Sequence, residues 1–121
     1  MRSKSYCINI TPIAWNRVVP KSRSYDNDTK FSLHLAQQHN EEPPFTKPIN
    51  LSVVFYMPLT SKSYKSNEYH SNHPLINDLY RFLLHSLKET ILSDDRLICS
   101  LSLKKVYDNE PRTEFIITEV V

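Results

Sequence analysis

The chain has 121 residues and not one of them is glycine. That absence limits how it can turn. Tight turns fall to Asn, Asp, Ser and Pro, which reach turn geometry through side-chain hydrogen bonds or a fixed φ. It also excludes the glycine-rich phosphate loops of nucleotide-binding folds, where the backbone must approach the phosphate closely.

Length predicts one domain with a modest core. A hydrophobic fraction of 40 % and a charged fraction of 23 % are ordinary for a globular chain. No apolar run approaches the roughly 18 residues a membrane helix needs. The basic N-terminus, MRSKSYCINITP, has too short an apolar run for a secretion signal. A cytoplasmic location is expected, with no membrane partner and no small-molecule substrate. Cys7 and Cys99 sit in strand-like runs and read as buried, reduced thiols, since two cysteines are no disulfide framework. The net charge of +2 permits a nucleic-acid partner without demanding one. Arg17, Lys21 and Arg23 cluster in one predicted loop, Lys62 and Lys65 in another, and Lys104 and Lys105 on a strand. Solvated surface charge is the plain reading of most such clusters.

The pattern predicts β, α, β, α, β, β: a single α+β domain, a mixed β-sheet with helices packed on one face. Residues 6–10 read as a strand and 11–25 as a loop. A weakly patterned helix is expected over 27–39, and a strand buried on nearly both faces over 50–57. The polar stretch 58–73 is long for a connection, a length typical of functional or disordered loops. Asn77 reads as an N-cap for an amphipathic helix over about 77–91, with Ile76, Leu79, Tyr80, Leu83 and Leu87 on its apolar face. Asp78, Arg81, His85 and Lys88 mark the other face, with Asp78 favourably placed in the first turn. Ser93-Asp94-Asp95 reads as a turn. In the strand 97–107, Leu97, Cys99, Leu101 and Leu103 are expected inward. A last strand follows from Arg112.

A helix start followed 18 residues later by an Asp-Asp turn (Asn77 to Asp95) could gather carboxylates for a hard divalent cation. The commoner role of such a pair is turn chemistry. His70-x-x-His73 has metal-like spacing, but two loop histidines are usually solvated, and His85 reads equally as a polar-face residue or a site residue. Trp15 reads as a core or interface residue rather than a base-stacking one.

The stretches H-P-L-I-N-D-L-Y-R-F (73–82), L-L-H-S-L (83–87), D-D-R-L-I (94–98) and K-V-Y (105–107) carry a resemblance. The chain resembles the RusA-like Holliday junction resolvases, whose pattern runs approximately K-P-D-x-D-N-L-x-K-F, x-x-D-A-L, D-D-R-x-I and K-x-Y. INITPIAWNR (8–17), SYD (24–26), VVFYMP (53–58) and EPRTEFIITE (110–119) extend it over most of the chain. The resemblance implies one RusA-like domain over 1–121 and a homodimer that binds four-way DNA junctions. It also implies cleavage of two strands with Mg²⁺ held by three aspartates, in recombination and repair, and a phage or prophage origin.

Carried over position by position, those aspartates are Leu75, Asn77 and Asp95, so one carboxylate survives. Arg81 keeps the charge of the family's basic helix residue, and His85 stands where an aspartate is usual. Asp78 lies one residue beyond Asn77, about 100° round the helix, and Arg81 is its natural ion-pair partner. His70 matches a histidine often seen before the family's motif, implying a DNA contact or loop ordering.

Three readings stay open. In the first, a junction binder has lost cleavage and holds DNA through Arg17, Lys21, Arg23, His70, Arg81 and Lys105. In the second, the site is rebuilt, with Asp78, Asp94 and Asp95 around Mg²⁺, or His70, His73 and His85 around a transition metal. In the third, the module binds protein and inhibits. In the catalytic reading Asp95, Asn77 and Asp78 carry the chemistry; weak or absent cleavage is favoured.

Overall fold

The computed structural model describes residues 1–15, 21–60 and 68–120, without the side chains of 21–27 and 89. Arg17, Lys62 and Lys65 therefore lie outside the described residues, as do the side chains of Lys21 and Arg23.

The order is β1 (Ser3–Ile8), α1 (Lys21–His39), β2 (Ile49–Pro58), α2 (Ile76–Thr90), β3 (Ile98–Asp108) and β4 (Arg112–Glu119), with a short 3-10 turn, Asp95–Leu97, before β3. The strands form one mixed sheet, ordered β1-β4-β2-β3. β4 runs antiparallel to β1 and β2, and β3 parallel to β2. The β2–β3 connection is the crossover containing α2, as parallel neighbours require. The α+β class holds, and no described helix is long and apolar enough to cross a membrane.

Both helices cover one face of the sheet. The core joins Tyr6 and Ile8 of β1, Leu51, Val53, Phe55 and Met57 of β2, and Phe115 and Ile117 of β4 to Phe31, Leu35, Leu79, Phe82, Leu83 and Leu87 of the helices. Each such side chain contributes roughly 1.5–3 kcal/mol by leaving water. Ring pairs add shape, with Phe31 edge-on to Phe82 at 5.2 Å and Tyr6 stacked on Phe115 at 4.8 Å.

Several expectations need correction. α1 starts at Lys21, so 21–25 is helix rather than loop. The Ser- and Asp-rich start has poor intrinsic propensity, but packing of Phe31 and Leu35 overrides it. β2 alternates buried and half-buried residues, because no described helix packs on its second face. β3 is an edge strand: Leu101 is 43 % exposed, Leu97 and Leu103 are half-buried, and Cys99 points out beside a register shift. Neither cysteine is buried; Cys7 is half-exposed, Cys99 exposed, and both are free. Trp15 is 39 % exposed rather than in the core.

The missing glycines leave a trace after α1. Asn40 and Glu41 close the helix at φ 53° and 58°, in the left-handed region where glycine usually serves. The outer edge of β1 is also managed locally. The Gln38 side chain accepts from the Cys7 N–H (2.7 Å) and donates to the Cys7 carbonyl, standing in for a neighbouring strand.

Candidate nucleic-acid interface around the start of helix α2

α2 begins at Ile76. Its N-cap is Leu75, with extended backbone and no side-chain capping bond. Asn77 is thus inside the first turn instead of capping it, because the prolyl turn ahead brings the Leu75 carbonyl onto the N–H groups of Asp78 (3.1 Å) and Leu79 (3.2 Å). Asp78 does occupy the first turn, near the positive end of the helix dipole. Its carbonyl accepts the Trp15 N–H at 2.9 Å, which pins the segment after β1 to α2. No ion pair joins Asp78 to Arg81 among the described residues.

The turn ahead of α2 is held from below. Lys105, on the helix-covered face of β3, donates its ammonium to the carbonyls of Asn72 (2.6 Å) and Pro74 (2.7 Å). Burial lowers the Lys105 pKa from its ordinary value. Two residues on, the Tyr107 hydroxyl accepts from the Asn72 amide at 3.1 Å. The His70 ring lies against Tyr107 at 4.8 Å, and the His70 backbone N–H donates to the Lys105 carbonyl at 3.1 Å. His70 is buried, and desolvation first, then the Lys105 charge, lowers its pKa. The K-x-Y spacing marked these positions, but the target of the amine is a long-range contact that no local pattern encodes.

On α2, Asn77, Arg81, Leu84 and Lys88 fall along one stripe, at spacings of 4, 3 and 4. Asn77, Arg81 and Lys88 are exposed, and Arg81 has no ion pair among the described residues. Asp95 reaches this stripe at its far end, 3.8 Å from the Lys88 ammonium. Lys88 is eleven residues beyond Asn77, about 16 Å of axial rise. Burial, then the Asp95 charge, raises the Tyr80 pKa. Asp94 caps the 3-10 turn, accepting from the Arg96 N–H (2.8 Å) and from its guanidinium (2.7–3.2 Å). Those bonds hold its pKa down at about 2. On the other side of α2, His85 is exposed and meets the Trp15 ring edge-on at 5.5 Å. His73 is exposed while His70 is buried, so the two do not face a common ligand.

The donor set does not fit a tightly held Mg²⁺. Leu75, 53 % exposed, offers no donor, Asn77 a neutral oxygen, and Asp95 a carboxylate already beside an ammonium. Among the described residues no three His, Cys, Asp or Glu side chains group as metal ligands.

A family model described as Endodeoxyribonuclease RusA matches residues 15–118. The chain belongs to the RusA endodeoxyribonuclease family. It is also similar to an uncharacterized protein of Bacillus subtilis (strain 168), YqaN, being 29 % identical over 96 residues that span 71 % of this chain and 68 % of that protein. RusA membership identifies a Holliday junction resolvase-like nuclease domain, in a family that depends on divalent metals and binds branched DNA.

Proposed function

We propose that this RusA-family protein binds four-way DNA junctions as a homodimer without needing a metal, and that cleavage is weak or absent. One observation carries the reading: the positions that correspond to the family's aspartates present one carboxylate, Asp95, and it faces Lys88. Losing two carboxylates removes like-charge repulsion with phosphate, so a basic stripe can engage the backbone directly. Arg81 and Lys88 supply charge on α2, with Arg17, Lys21 and Arg23 proposed to extend it. His70 is assigned to ordering the loop rather than touching DNA, in keeping with its burial. Lys105 acts through the turn it holds, since two of its three N–H groups are committed to carbonyls.

The test uses a synthetic four-way junction in EDTA, Mg²⁺ or Mn²⁺. Junction-selective binding in EDTA without nicking is the expected result. Nicking lost in Asp95→Asn would establish a rebuilt active site instead. Equal affinity for junction and linear duplex would remove the junction reading and leave a protein partner. Leu75→Asp with Asn77→Asp restores two hard ligands; Mg²⁺-dependent nicking in that variant would show that only ligands were lost and that Asp95, beside Lys88, still completes the site.

A further inference from the structure

Trp15 is the one tryptophan of the chain, and it stands beside the start of α2. Two aromatic rings are exposed among the described residues, Trp15 and Tyr69. Tyr69 sits under the Lys104 ammonium at 5.8 Å, out on β3. Trp15 is held differently. Ile13 and Ala14, just before it, pack against the core. Its own N–H donates to the Asp78 carbonyl, 2.9 Å away in the first turn of α2. Its ring meets His85 edge-on at 5.5 Å, seven residues further along the helix and about 10 Å of axial rise from Asp78. His85 in turn lies within electrostatic reach of Asp28 on α1. Backbone and ring are thus fixed at two points. An indole that is 39 % exposed is presented there with little further ordering to be done on binding.

The neighbours of the ring indicate what it takes. Arg81 comes three residues after Asp78 and four before His85, so it stands within one turn of each, beside the line that Trp15 follows. The charge close to the ring is mixed, with Asp78 half-buried and Arg81 exposed. A phosphate seated on the indole would meet a carboxylate. A nucleobase is neutral and offers a π face, while the Arg81 guanidinium remains for the adjoining backbone. Inside a linear duplex both faces of each base are covered by neighbours, and reaching one costs unstacking energy. At a four-way branch point the stacking is interrupted, and bases bordering the exchange have a face to offer. We infer that Trp15 stacks on a base at the branch point and is the residue that separates branched from linear DNA. The inference rests on the junction-binding reading above and names the part of the DNA that this side chain recognises.

A single tryptophan makes the contact directly observable by its own emission. A four-way junction in EDTA should quench that emission, and linear duplex at equal occupancy should not. A junction carrying 2-aminopurine at the branch point should lose probe emission on binding the wild-type protein and keep it with Trp15→Ala. Trp15→Ala should lower junction affinity about tenfold more than duplex affinity, at an unchanged salt slope, and Trp15→Phe should recover most of the loss. Circular dichroism checks that both variants are folded. An equal loss on junction and duplex overturns the inference. So does an emission that shifts with protein concentration and not with DNA, which would place the ring between copies of the chain. Wild-type protein without junction preference refutes the junction reading and the inference together, whereas a preference kept by Trp15→Ala refutes the inference alone.

Discussion

The residue that most changes its meaning in three dimensions is Lys105. In the chain it is one of two adjacent strand lysines, a natural candidate for phosphate. In the fold its ammonium closes the turn that feeds α2. Charge-assisted hydrogen bonds are worth about 1.5–3 kcal/mol each, and the carbonyls released here can rehydrate. Lys105→Met, which keeps the stem, should therefore destabilise by about 1.5–3 kcal/mol in urea titrations. Junction affinity should fall through the loosened helix start, with little change in its salt dependence. A lost phosphate contact would instead lower the slope of log K against log salt by about one. Asp95 is the converse case. Its motif position was plain in the sequence, while its neighbour Lys88 depends on how the 3-10 turn returns along α2.

At the scale of elements, periodicity carried far. The apolar stripe of α2 located the helix to within a residue, but the helix closes at Ile91, and Asp94 and Asp95 cap and begin the 3-10 turn that follows. Caps and starts were less legible. Asn77 looked like the cap, but the backbone entering from Pro74 selects Leu75. The first turns of α1 have weak local signals and are helical because of what lies further along. Its end shows strain from the glycine-free composition. A non-glycine residue in the left-handed region costs roughly 1–2 kcal/mol, less for asparagine. Glu41→Gly should relieve part of that and raise stability by about 0.5–1 kcal/mol, seen as a higher denaturant midpoint at unchanged m value. No gain would mean that Glu41 makes contacts worth its strained φ.

For the whole molecule, two buried histidines couple folding to pH. His39 shares a hydrogen bond at Nδ1 with the Tyr6 hydroxyl at 2.8 Å. Desolvation, then Lys4 and Arg2, lowers its pKa below the usual 6.5. His70 is shifted the same way. A depressed folded value means that the unfolded chain binds more protons in the window just below 6.5. Stability is thus complete above about pH 6.5 and declines as pH falls toward the folded values. Thermal melts from pH 8 to 5 should show that fall, and His39→Gln should flatten part of it. An unchanged slope would show that folded His39 takes up its proton as readily as the unfolded residue does, for example by gaining a partner on protonation.

From the residue order alone came the α+β class, the succession of elements and the family. These are local or positional properties: hydrophobic period follows from helix and strand geometry, and a motif keeps its spacing along the chain. Only the tertiary structure decided that β4 lies between β1 and β2, and that both described helices pack on one sheet face. It also decided that Lys105 grips a turn and that Asp95 sits beside Lys88. Those outcomes depend on contacts between residues tens of positions apart. Such contacts form when the apolar face of each helix is buried on the sheet, and no short window of sequence contains both partners.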